Sequence, residues 1–221
     1  MRRTSLLSIV AVFVVLNLCG CSKNATVGGG GAGATLKDDP DFVRDVALKS
    51  MAEIDLSRMA LSKAASGDVK AFAQMMVDDH GPAENALKTI VAGQGIEWPA
   101  QGDEKHKKTV EELATKQGLE FDREYMKAMV AGHQDLAAKL ESRLDVQSVA
   151  DWKTAAAARA QSTAMPDPKA SMGDVAVRPA ASADGMTMKI NTWAAERYPI
   201  VQKHLDSART LENAAKERST N

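Results

Sequence analysis

Three histidines and one glutamate stand where a helix would turn apolar side chains toward its neighbours. Over residues 69–91, Val69, Phe72, Met76, Ala83, Leu87 and Ile90 recur at helical spacing, and His80 lies in the same stripe. The frame returns in Met129-Val-Ala-Gly-His133, which parallels Met76-Val-Asp-Asp-His80 and suggests two related helices meeting across one bundle. His204 shares a stripe with Ile190, Trp193, Val201, Ala208 and Leu211, and Glu53 shares one with Phe42, Val46, Leu56 and Ala60. Burying an imidazole or a carboxylate is costly unless the group is paired or bound. A polar network that fixes helix register is the first expectation for these residues. The alternative is a single metal ion held by Glu53, His80, His133 and His204, a donor set that suits Zn, Fe, Mn or Cu. Met76 with His80, and Met129 with His133, add a thioether–imidazole option for Cu(I), set against the ordinary use of methionine as core filler. Asp79 and Asp122 are candidate caps, ion-pair partners or acceptors behind the histidines, and Tyr125 is a candidate hydrogen-bond partner for one of them.

No nucleophile–base–oxyanion set, phosphate loop, dinucleotide fingerprint or His-Glu-x-x-His motif accompanies these residues. The expectation is therefore a binding or structural module without catalysis. A metal-binding or redox protein is the alternative. The fourth histidine, His106, stands among Glu104, Lys105, Lys107 and Lys108 and reads as a solvent-facing surface residue.

Four long helices must position the stripes. The first is expected over 40–65 with Asp39 as its cap, and the second after Asp68, fading near Gly93 and Gly95. The third is expected over 121–144 and the last over 186–216. A shorter, charged helix is expected over 103–117. Gly81-Pro82 and Pro199 fall inside the second and last helices and predict kinks close to His80 and His204. Residues 149–165 are alanine-rich enough for a helix, and Pro166, Pro168, Pro179, Gly173 and Gly185 then forbid a continuous one. Residues 146–187 read as an insertion, with 166–184 a surface excursion or a disordered loop. The fold class is all-α: an up-down four-helix bundle with a short extra helix and a long connection before the last helix.

Composition agrees. The chain has 221 residues, 44% of them hydrophobic but only 4% aromatic, and it is rich in good helix formers. That disfavours a β-rich fold. A formal net charge of −1 with no basic cluster points away from nucleic acid.

Residues 1–20 read as a signal peptide. Arg2 and Arg3 precede an apolar run over 6–18, shorter than the roughly 20 residues a bilayer span needs. The run ends in Leu18-Cys19-Gly20-Cys21, which resembles the bacterial lipobox and makes Cys21 the expected lipidation site. Acyl chains on Cys21 would anchor the protein to a membrane. Ser22 after that cysteine resembles an outer-membrane sorting pattern, facing the periplasm if the host is Gram-negative. Residues 21–38, with Gly28 to Gly31, form a flexible tether to a bundle over 39–217. The remaining domain has no cysteine, so it holds neither a disulfide nor a thiolate zinc site.

The segments around Phe42, Glu53-Ile54, Phe72-Ala-x-x-Met76-Val-x-Asp79-His80, Phe121-Asp122-x-x-Tyr125-x-x-x-Met129-Val-x-x-His133 and Pro199-Ile-Val-x-x-His204-Leu205 resemble a bacterial family, that of domain of unknown function 4142. The resemblance covers about 38–145 and 188–214 and implies a ferritin-like bundle in a cell-envelope protein, often labelled an outer-membrane protein. Residues 146–187 depart from the family's shorter connection. Ferritin-like di-iron proteins use Glu-x-x-His on two helices. Val77, Val130 and Val201 stand where those glutamates would be, so a di-iron site is not expected.

Overall fold

The computed structural model describes residues 38–161 and 175–218. The expected signal peptide, Cys21, nearly all of the tether and residues 162–174 lie outside the described residues. Among the described residues there are six helices: α1 (Asp39–Lys63), α2 (Gly67–Val91), α3 (Glu104–Ala114), α4 (Gly118–Glu141), α5 (Val146–Gln161) and α6 (Gly185–Arg218). Among the described residues, no helix is long and apolar enough to cross a membrane.

The starts of α1 and α2 differ from the sequence expectation, and at α1 the acid expected to cap is recruited for a longer-range contact. Asp38, not Asp39, occupies the N-cap position of α1, and it makes no side-chain capping bond. Asp39 is buried instead, where Arg143 Nη1 meets Oδ1 and Thr187 Oγ1 donates to Oδ2 at 2.7 Å. The corner between α1 and α2 is held by Asp122 of α4, not by Asp68. Its carboxylate accepts from the backbone N–H of Ala65 at 3.0 Å and of Ser66 at 2.8 Å. Helices α3, α5 and α6 are capped as a local pattern would have it, with Asp103 accepting from His106 N–H at 2.8 Å, Asp145 from Ser148 N–H at 2.9 Å and Asp184 from Thr187 N–H at 2.7 Å. Helices α2 and α6 continue through Pro82 and Pro199. An interior proline costs about 3 kcal/mol, and burial of long amphipathic faces on both sides of each proline outweighs it.

Helix α1 packs on α2 and α4, and α6 packs on the same two, so the four long helices close a ring. Its interior holds two apolar clusters. Phe42, Leu87, Leu136 and Trp193 belong to one, and Leu56, Phe72, Met126 and Ala208 to the other. Followed along the chain, α1 and α6 run from the first cluster to the second, while α2 and α4 run from the second to the first. Neighbours in the ring are therefore antiparallel. Helices α2 and α4 run the same way because residues 92–117 cross from one end to the other. Gly93 and Gly95 start that crossover with φ of 73° and 74°, a region that favours glycine.

Two parts of the chain are tied down more firmly than their sequence suggests. The charged helix α3 leans on α1 and α4 and buries His106 and Leu113. The expected surface histidine is thus an interior one. A Cβ on Gly102 would stand 1.8 Å from its Nδ1, so only glycine leaves room for the ring. In the insertion, 146–161 are helical, and the described residues after 174 are pinned to the end of α4. Asp145 N donates to Arg178 O, and Ala180 N to Arg143 O, both at 2.9 Å.

Candidate metal centre

The boundary between the two apolar clusters is polar. On α1, Glu53 falls between Val46 of one cluster and Leu56 of the other, and His80, His133 and His204 hold the matching positions on α2, α4 and α6. The stripe periodicity that buries each helix therefore delivers one polar side chain per helix to a single layer. All four are buried.

The three imidazoles form a nearly equilateral triangle, with ring centroids 5.5, 5.6 and 5.6 Å apart. One nitrogen from each ring lies within 4.8 Å of the others. Each ring also has one buried nitrogen with no hydrogen-bond partner: Nε2 of His80, Nε2 of His133 and Nδ1 of His204. The opposite nitrogens are occupied. Nδ1 of His133 lies 2.9 Å from Met129 O, and Nε2 of His204 lies 2.8 Å from Asp79 Oδ2. Glu53 spans the other two rings, with Oε2 3.2 Å from His80 Nδ1 and Oε1 3.1 Å from His133 Nδ1. Its two oxygens have charge-pair distances to the rings but no aligned hydrogen bond. Gly132 makes this approach possible, because a Cβ there would stand 2.9 Å from Glu53 Oε1.

The structure thus brings Glu53, His80, His133, His204 and Asp79 together, and gives the carboxylates positions behind the rings. It places two other candidates elsewhere. Asp122 serves the α1–α2 corner, and Tyr125 shares a 2.8 Å hydrogen bond with Ser57, so neither touches a histidine nitrogen. Met76 and Met129 pack in the second apolar cluster. His106 has Asp55 3.5 Å from its Nε2 and stands apart from the triangle.

Burial sets the charge state of the layer. It holds His80 well below the ordinary histidine range, with the neighbouring His133 and His204 adding to the effect. It lowers His133 to about 4. It lowers His204 as well, against the opposing pull of Asp79. It raises Glu53 to about 8, with Lys49 opposing. Neutral imidazoles keep the lone pairs that a metal needs.

These shifts predict a pH profile for the metal-free chain. Each depressed histidine contributes stability that is complete above its unfolded value near 6.5 and lost as pH falls toward the folded value, about 4 for His133. Glu53 acts oppositely: its contribution is complete below 4.5 and lost as pH rises through about 8. Three histidines outweigh one glutamate on the acid side. Urea midpoints should therefore fall steadily from pH 6.5 to 4 and decline more gently from pH 7 to 8. A Glu53→Gln chain should lose the alkaline decline alone.

A family model described as Domain of unknown function (DUF4142) matches residues 26–165. The match includes Glu53, His80 and His133 and stops short of α6, which supplies His204. No curated protein and no solved structure matches the chain.

Proposed function

Since the chain belongs to the DUF4142 family, whose description assigns no activity, we propose its function from the site itself: the bundle binds one divalent transition-metal ion. The unpartnered nitrogens of His80, His133 and His204 are its ligands. The observation that carries this reading is the convergence of one nitrogen from each of three buried rings on different helices, together with one buried nitrogen on each ring that has no hydrogen-bond partner. A register-fixing network would pair them, because an unpaired buried polar atom costs about 1–3 kcal/mol. Here His133 and His204 are each held at the other nitrogen, His80 Nδ1 lies 3.2 Å from Glu53, and one buried nitrogen of every ring has no hydrogen-bond partner.

Three neutral imidazoles with no anionic ligand resemble the donor set of sites that keep a fourth position open, for which zinc is the usual ion. Glu53 and Asp79 act behind the ligands, orienting the rings and offsetting the charge of the ion. Glu53 is assigned this role and not that of a ligand, because its oxygens face the occupied sides of His80 and His133. The single crossover between α2 and α4 supports a ferritin-like ancestry, with the di-iron carboxylates replaced by a mononuclear imidazole site. The reading keeps the envelope address: Cys21 carries the lipid, and the tether holds the bundle off the bilayer.

Titration of the metal-free chain with zinc, against a chromophoric chelator, tests the proposal. One equivalent per chain is expected, with a raised melting temperature. No saturable binding would reject it.

A further inference from the structure

A cavity of about 260 Å³ opens beside the histidine triangle, with His80 and His204 in its wall. The rest of the wall is mostly apolar and includes Leu87, Leu140, Trp98 and Trp193. Arg197 also faces it, with a buried Nε that has no hydrogen-bond partner. The exposed Asp79 and Lys203 mark where the cavity reaches solvent. Apolar cavities of about 150 Å³ take up benzene. This one has room for a ring and a short polar head.

We infer that the cavity binds a small carboxylic acid with an apolar, preferably aromatic, body, whose carboxylate takes the open position on the metal. The inference rests on the metal reading above and adds the ligand class. Three imidazoles bring no negative charge to a divalent ion, so an anionic oxygen is the complementary fourth ligand. The two indoles supply flat apolar surface for a ring. The unpaired Arg197 N–H supplies a second contact for the carboxylate, of the kind that guanidinium groups make well. The cavity reaches the site through His80 and His204 only, so the acid enters from the α2–α6 side.

The test uses the full chain loaded with Co(II), whose visible bands report the fourth ligand, and two probes, benzoate and acetate. Both should shift the bands, benzoate saturating at a concentration at least about tenfold lower, because its ring buries apolar area that acetate lacks. Ala83→Phe, placed in the wall at a half-buried position, should bring benzoate down to the acetate level with cobalt content unchanged. Equal affinities for the two acids in the unaltered chain would overturn the inference while leaving the metal site standing. So would benzoate binding, read by tryptophan fluorescence, that leaves the cobalt bands unmoved. A chain that takes up no cobalt would overturn the inference and the metal reading together.

Discussion

Replacing His133 with alanine should weaken zinc binding by at least about a hundredfold. Structural zinc sites in peptides carry about 10–16 kcal/mol across four ligands. Each ligand thus accounts for a few kcal/mol, and every 1.4 kcal/mol is about a factor of ten. His133 is the most enclosed of the three and has its other nitrogen fixed by Met129 O and Glu53 Oε1. His106→Ala is the matched control: it too removes a buried histidine, but one outside the triangle. The chelator competition should show a large loss for His133→Ala and none for His106→Ala. Similar affinities in the two variants would mean that the triangle is not the zinc site.

The largest effect on stability should come from Arg143→Met. Its guanidinium pairs with the buried Asp39, donates to Asp38 O at 2.9 Å, and lies 4.3 Å from the ring centre of Phe42. Removing it leaves the Asp39 carboxylate in the interior with Thr187 as its remaining side-chain hydrogen-bond partner. Breaking a buried pair in this way costs about 3–5 kcal/mol. Urea denaturation near neutral pH should show that loss. An Asp39→Leu, Arg143→Met double variant should recover much of it, since no charge is then stranded. A double variant no more stable than the single one would show that the loss came from packing against Phe42 and not from the unpaired acid.

The contrast between these two sites shows what the sequence could convey. Glu53, His80, His133 and His204 were legible because each occupies a helical stripe, and a stripe fixes which way a residue faces. That they meet in one layer also depends on the crossover over 92–117, which sets the relative heights of α2 and α4 and has no periodicity to read. The Asp39–Arg143–Thr187 contact was not legible. It joins residues more than a hundred positions apart, and Asp39 next to Pro40 carries a strong local signature of a cap. His106 was hidden by its charged neighbours, although His106, Val110 and Leu113 follow the spacing of a narrow buried face. The division of labour around Glu53 lay beyond reach as well. Whether a carboxylate meets a metal or the far side of an imidazole is a matter of a few ångströms, and helical spacing does not resolve it.

X-ray absorption at the zinc edge of the fully loaded chain bears most directly on the metal assignment. It should show three imidazole nitrogens at about 2.0–2.1 Å, with the outer-shell scattering of the rings, and one oxygen ligand completing the set. A shell dominated by carboxylate oxygen, with one imidazole or none, would contradict it.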